Sequence, residues 1–370
     1  MMTRKDLLIK SAYGAGALMA VNGILPGLSY LERVFAEENT SPVNISERDR
    51  FLLRHASLAP SGHNTQPWRV KIVSDSEWII GWDKTRSLPA VDPRNRELLL
   101  SIGTFCEALS IAAKSIGIEC IKKVTAKNAF SPELVNIKFK NSTGSTEKMN
   151  ALTKRRTIKN GFLSNEISRE AMNQITDELK CKVYTFAKGN REAGLIDKAV
   201  LESNRIQAWR DDAQNELADW IRWRDKDADK HRNGLTPAGM EINGLAALYV
   251  KNFFGRDDVL SESFRNQTVE LTEKYLSSYG SWIILSTDAE NPEELIETGG
   301  DFLKLGLSAY DKKIALHPMT QPLEEKGFED TLQKELKIKG KMQFILRAGY
   351  VKNYPDPVTL RMPAERIVYN

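Results

Sequence analysis

The sequence predicts an α+β fold made of two homologous halves that pack together as an internal pseudo-dimer. Short aromatic and β-branched runs mark strands, yet helices and strands do not alternate in the regular βαβ manner of a parallel sheet. Trp78-Ile79-Ile80, followed by Asp83, reappears as Trp282-Ile283-Ile284, followed by Asp288. A helical stretch comes after each copy, ELLLSIGTFCEALSIA from Glu97 and ELIETGGDFLKLGLSA from Glu294. At their common offset of 197 (294 − 97), Glu97/Glu294, Leu98/Leu295, Gly103/Gly300, Phe105/Phe302 and Ala112/Ala309 are identical, and the matches come in the same order. Small residues at Gly103, Ala112, Gly300 and Ala309 predict two helices in close contact at the centre of the pseudo-dimer.

The elements follow in order. Residues 1–40 carry a charged start (Arg4, Lys5, Lys10), a weakly apolar stretch interrupted by Asn22 and Pro26, and Val34-Phe35-Ala36 as a small-residue cleavage site. These are the parts of an export signal or signal-anchor, and TRKDLLIK resembles the twin-arginine pattern with Lys5 in place of the second arginine. The expected location is exported, periplasmic or membrane-anchored, through a twin-arginine-like or Sec signal, with membrane contact only through this segment if it stays uncleaved. The alternative, an ordinary N-terminal helix in place of a signal, leaves the protein cytoplasmic. Residues 41–150 form the first half and 151–370 the second. In the first, Ser46 caps a helix running to about Ala59, VKIVSDSEWIIGWD is a hairpin, and Val135 to Phe139 is a strand. In the second, SREAMNQITDELK is helical, CKVYTFA a strand, Leu195 to about Asp225 one or two long helices, and MQFILRAGY a late strand. Between them lies a charged, then Gly-rich and apolar insertion from Arg224 to Gly255, either a lid over a site or a surface excursion.

Bulk composition narrows the function. With 370 residues, 41% apolar and 28% charged, the chain can bury one large core or two ordinary ones. Its 53 basic and 49 acidic side chains nearly balance, so no nucleic-acid partner is expected, although a local cluster could hold a phosphate. Cys106, Cys120 and Cys181 show no CxxC or Cys/His spacing, so no metal site is expected.

Two short stretches carry chemistry. PSGHNTQPW, Pro60 to Trp68, concentrates turn residues and local hydrogen bonders beside an indole, more than a linker needs. In KRRTIK, Lys154 to Lys159, the residues Arg155, Thr157 and Lys159 alternate, and an extended backbone would put them on one face with Arg156 on the other. Guanidinium, hydroxyl and ammonium groups converging in that way suit a phosphate monoester.

PSGHNTQPW resembles the Pro-Ser-x-x-Asn-x-Gln-Pro-Trp loop of the FMN-dependent nitroreductase superfamily, and HASLAPSGHNTQPW is similar to its Acg-like branch, which has fused halves and sequesters flavin. RRTIK resembles the superfamily's Arg-x-Ser/Thr-x-Lys/Arg phosphate motif, and TLRMPAERI its C-terminal Arg-x-Pro element. The resemblance covers roughly residues 45–368 and implies a nitroreductase-like fold with FMN between the halves. The first-half loop would then face the second-half phosphate cluster, joined by Arg361. The opposite pairing is missing: SERDRFLLRHA has no Arg-x-Thr-x-Lys, and the second half has no second loop of this type. One FMN per chain is expected, in a monomer that is its own pseudo-dimer.

Carried over residue by residue, Pro60, Ser61 and Gly62 run along the flavin, Asn64 contacts it, and Arg155, Thr157, Lys159 and Arg361 hold its phosphate. Gln66 of the same loop is counted among the cofactor-binding residues and, with Trp68, is expected mainly to keep the loop closed. His63, with Gly62, stands where simple nitroreductases have Ser-Thr, and His before Asn is usual in the Acg-like branch; a packed or hydrogen-bonding role is expected for it. ALHPMTQPLEE occupies the place of the family's loop near flavin N5, making Met319 and Thr320 the expected contacts there. His317 and Thr320 are the candidate catalytic groups, His317 as a proton donor. The implied activity passes electrons from NAD(P)H or another donor through the flavin to a small aromatic or quinone-like acceptor. The alternative is a protein that stores FMN under a lid without NAD(P)H-dependent turnover.

Overall fold

The computed structural model describes residues 30–34 and 45–369, so most of the signal-like segment lies outside the described residues. Helix α1 (Tyr30–Val34) is followed by α2 (Glu47–Ala56), whose N-cap is Ser46; its Oγ accepts from the Asp49 N–H at 3.1 Å. The helix stops at Ala56, short of the expected Ala59, because Leu58 and Ala59 turn back to the carbonyls of His55 and Ala56. The predicted hairpin is β1 (Trp68–Ser74) and β2 (Glu77–Trp82), after which α3 (Arg96–Ser115) leads to β3 (Ile118–Val124) and β4 (Glu133–Asn141). All pairings are antiparallel, in the order β1-β2-β4-β3. Sequence reading passes over β3, an edge strand whose Lys122 and Lys123 break up its apolar run.

The second half repeats the plan. After α4 (Met149–Lys154) and α5 (Arg169–Thr176) comes β5 (Lys182–Ala187). Helices α6 (Arg191–Trp209), α7 (Asp211–Trp220), α8 (Asp225–His231), α9 (Gly244–Phe253), α10 (Arg256–Leu260) and α11 (Glu262–Leu276) then precede β6 (Ser281–Thr287). The half closes with α12 (Pro292–Asp311), β7 (Ile314–Pro318), α13 (Gln321–Glu324), α14 (Glu329–Glu335) and β8 (Lys341–Tyr350). Its sheet runs β5-β6-β8-β7, the order of the first. Trp78 and Trp282 are each the second residue of the equivalent strands β2 and β6, and both are fully buried.

Helices α3 and α12 cross at the centre, and the crossing corrects the sequence alignment. Both are 20 residues long; their first residues (Arg96, Pro292) and their last (Ser115, Asp311) are 196 apart, not 197. A Cβ on Gly103 would lie 2.0 Å from the Ile296 carbonyl oxygen, and one on Gly299 would lie 2.0 Å from that of Leu100. Gly299, not Gly300, is therefore the mate of Gly103, and the five identities at 197 are not related by the pseudo-symmetry. The Gly299-Gly300 pair allowed either alignment; only the contact between backbones distinguishes them. One apolar cluster spans α3, α12 and the facing sides of both sheets.

The halves differ in one large respect. Two turn residues join β1 to β2, whereas residues 188–280 join β5 to β6. The Arg224–Gly255 stretch is the middle of this excursion and carries its own small core around Trp223, Val250, Phe254 and Phe264. After β8 the chain returns to the first half: the Val70 N–H donates to the Ile367 carbonyl at 2.8 Å, and the Tyr369 N–H to that of Val70 at 3.0 Å. That return brings Arg361 to the Pro60–Trp68 loop.

Candidate functional site

The loop is strained and heavily braced. His63, Asn64 and Gln66 have φ of 45°, 53° and 52°, left-handed values that each cost a non-glycine residue on the order of 1 kcal/mol. Trp68 anchors its end, fully buried and stacked on Phe105 of α3 at 4.9 Å. Thr104 Oγ1 donates to the Pro60 carbonyl (2.8 Å), and the Gln66 N–H donates to Ser61 Oγ (3.0 Å). Gln66 does not reach the site as a cofactor contact. Its Nε2 donates to the Arg232 carbonyl and its Oε1 accepts from the Met362 N–H, both at 2.9 Å, so it ties the loop to the insertion and the C-terminal return.

Beside the loop a cavity of about 460 Å³ opens between the halves. It brings together Pro60, Ser61, Gly62 and Asn64 from the first half with Arg155, Thr157, Lys159, His317, Met319, Thr320 and Arg361. The RRTIK segment is extended as expected: Arg155 leaves α4 with φ −65° and ψ 146°, and Ile158 turns into the core. Arg156 is drawn off to Glu241 at 3.6 Å and to the Asp356 carbonyl at 3.0 Å.

Two arginines in this wall have no carboxylate partner among the described residues. Arg155 makes no ion pair among the described residues, and its buried Nε has no hydrogen-bond partner. Burial pushes its pKa down to about 10, with Tyr354 working against the shift and neighbouring Arg361 adding to it. It stays charged at neutral pH. Arg361 is buried and likewise makes no ion pair among the described residues: it donates to Asn64 Oδ1 (3.1 Å) and to backbone carbonyls, and its Nε has no partner among them. Burial lowers the Lys159 pKa, offset in part by Glu241, which is occupied by the N–H groups of Lys159 and Asn160. Three cations around one cavity, with two unpartnered guanidinium nitrogens, form a site for an anion. Asn64 serves it indirectly, since its Nδ2 donates to the Gly234 carbonyl (3.1 Å) while its Oδ1 fixes Arg361.

At the β7 end, the Met319 N–H is taken by the Ile345 carbonyl at 2.8 Å, whereas the Thr320 N–H has no partner among the described residues. Of the two expected contacts, Thr320 keeps a free backbone donor. His317 is buried edge-on against Tyr275, 5.1 Å between ring centres. Burial, with Arg347 and Lys159 nearby, holds its pKa well below 6.5, and its buried Nδ1 has no hydrogen-bond partner among the described residues. His63 is similar, pushed down to about 4 chiefly by burial, with Glu97 opposing.

Sequence reading missed an acidic group in the same wall. Thr320 Oγ1 lies 3.2 Å from Glu97 Oε1 and 2.9 Å from Glu324 Oε1. Burial, then the Glu97 charge, pushes the Glu324 carboxyl up to about 8, which leaves it protonated at neutral pH. Its near-adjacent position to Thr320 was visible; the partner Glu97, 223 residues away, was not.

No protein-family model and no curated protein matches the chain. Solved structures do resemble it. A protein of Anabaena variabilis ATCC 29413, provisionally named a nitroreductase, is 10% identical over 93% of this chain and 99% of its own, with a TM-score of 0.47. The FMN-dependent nitroreductase NfnB of Mycobacterium smegmatis, solved with NADPH, is 14% identical over 57% of this chain and 95% of its own (TM-score 0.37). A nitroreductase of Desulfitobacterium hafniense DCB-2 with bound FMN is 13% identical over 58% and 94% (TM-score 0.33).

Proposed function

We propose that this chain binds one FMN in the cavity between its halves and works as a nitroreductase-like oxidoreductase, reducing a small aromatic or quinone-like acceptor. The observation that carries this reading is the pair Arg155 and Arg361, neighbouring guanidinium groups without a carboxylate, beside a strained loop of the expected sequence. The FMN phosphate carries about −1.5 to −2 charges at pH 7 and would meet Arg155, Thr157, Lys159 and Arg361. Pro60, Ser61 and Gly62 would lie along the ring, with Thr320 supplying a backbone N–H at its far end. Bound flavin supplies the redox chemistry, taking up electrons from a donor and passing them to the acceptor. The protein's own residues bind and orient it, and the insertion keeps water from part of the cavity.

Storage without turnover is the second reading, and the insertion favours it: Leu235, Gly239 and Met240 of the Arg224–Gly255 stretch line the cavity, as a lid would. Export, suggested by the N-terminal sequence, would place the protein where NAD(P)H is scarce and require another donor. Purified protein should take up one equivalent of FMN per chain; two equivalents, or none, would sink the one-site reading. Anaerobic NADH or NADPH should bleach the flavin promptly if it turns over. Bleaching by dithionite alone would favour storage or a dedicated donor.

A further inference from the structure

Resting on the flavin reading above, we propose that Glu324, acting through the Thr320 hydroxyl, is the acid that gives a proton to a quinone-type carbonyl acceptor bound in the cavity. The geometry demands a proton here. Thr320 Oγ1 carries one hydrogen, yet it lies within hydrogen-bond reach of two carboxyl oxygens, Glu97 Oε1 and Glu324 Oε1. Both contacts are attractive only if one carboxyl is itself a donor. Glu97 Oε1 already accepts from the Arg96 guanidinium at 3.2 Å, so the carboxyl left to donate is Glu324. Glu324 Oε2 accepts from Gln207 Nε2 at 2.6 Å, so the acid proton sits on Oε1, facing Thr320. The other ionisable groups around it are Arg96, whose charge works against the upward shift, Asp92, beyond Glu97, and Glu325, which is paired with Arg210 at 3.0 Å. None of them supplies Glu324 with a direct positive partner.

A second observation concerns the polar groups in the wall of the same cavity. Gln267 on α11 is buried and lines it, with neither Oε1 nor Nε2 bonded; Gln214 on α7 is buried with its Oε1 free. Buried amides left without partners are costly unless a ligand or water meets them. They suit a neutral molecule bearing carbonyl or hydroxyl groups.

The step balances as follows. Bound reduced flavin would supply the two electrons as a hydride, and a quinone that has accepted them on one oxygen carries an oxyanion on the other. The Thr320 hydroxyl turns its hydrogen from Glu97 to that oxyanion, the Thr320 O–H bond breaks as the proton crosses, and the Glu324 Oε1–H bond breaks to restore the hydroxyl. The products are a hydroquinone and a Glu324 carboxylate, which water reprotonates.

Two measurements test this. In flavin-free protein, infrared spectroscopy at pH 6 should show protonated carboxyl absorption, of which the part that fades only as pH rises through about 8 belongs to Glu324 and is removed by Glu324→Gln, while buried Asp92 contributes a part that fades near pH 7. In FMN-loaded protein reduced by dithionite, single-turnover oxidation by benzoquinone should slow about 100-fold in both Glu324→Gln and Thr320→Val, and the wild-type fall in rate above about pH 8 should disappear. No acid band, a band unchanged in Glu324→Gln, or wild-type oxidation rates in both variants would each overturn the relay. Failure of wild-type protein to take up FMN overturns the cofactor reading instead, and the infrared arm still reports on the acid.

Discussion

Arg155→Met separates a ligand-binding cation from a structural one, because the two roles predict opposite effects on the empty protein. Arg155 has a buried, unpartnered Nε, no carboxylate in contact, and a pKa depressed by burial and by Arg361. A cation held this way is a burden on the fold, since desolvation is not offset by pairing. Methionine keeps most of the volume and removes the charge. The flavin-free variant should therefore melt at the wild-type temperature or above it. Binding should move the other way. One charge-assisted hydrogen bond contributes about 1.5–3 kcal/mol, and at about 1.4 kcal/mol per tenfold the Kd for FMN should rise by one to two powers of ten. Fluorescence titration gives the Kd, and calorimetry with and without FMN gives the two melting temperatures. A variant that melts lower when empty yet binds FMN as wild type does would refute the phosphate role and make Arg155 part of the scaffold.

Three further outcomes follow from the geometry. Gly103→Ala or Gly299→Ala should lower stability by about 1–3 kcal/mol or more from overpacking, whereas Gly300→Ala, whose new methyl would meet nothing closer than 3.7 Å, should be near neutral; chemical denaturation distinguishes the 196 register from 197. The His63 pKa is lowered from 6.5 to about 4 on folding, so the unfolded chain binds the extra proton first. Stability from this site is then complete above pH 6.5 and lost as pH falls towards 4, by up to about 3 kcal/mol; His63→Asn should flatten that part of the stability profile measured by urea melts. A chain starting at residue 37 loses Tyr30, which lines the cavity and donates to the Thr359 carbonyl at 3.2 Å, and Val34, whose carbonyl accepts from Arg232 at 3.0 Å. It should release FMN faster than the full chain in stopped-flow exchange, and equal off-rates would remove α1 from the site.

Much of the site was legible because its parts are local. Pro60 to Asn64 share one turn, and the alternation of Arg155, Thr157 and Lys159 needs only an extended backbone to align them. Ser46 showed its cap through the Asp three residues on, and Trp78 and Trp282 gave away equivalent strands. Gln66, Glu324 and His317 were not legible in the same way. Whether Gln66 faces a ligand depends on Arg232 and Met362, and whether His317 is charged depends on burial among Tyr275, Arg347 and Lys159. Distant partners set those answers, and no spacing in the chain encodes them.

By itself, then, the sequence determined the α+β class, the duplication, and the two motifs that belong in one site, since each rests on periodicity or on neighbours within a few residues. Tertiary structure alone decided the register of the duplication, through backbone contact between Gly103 and Gly299. It also brought two arginines together with no carboxylate between them among the described residues, and buried Glu324 beside Glu97, which raises the Glu324 pKa. Charge state follows burial and the field of groups far apart in the chain, and only folding brings those together.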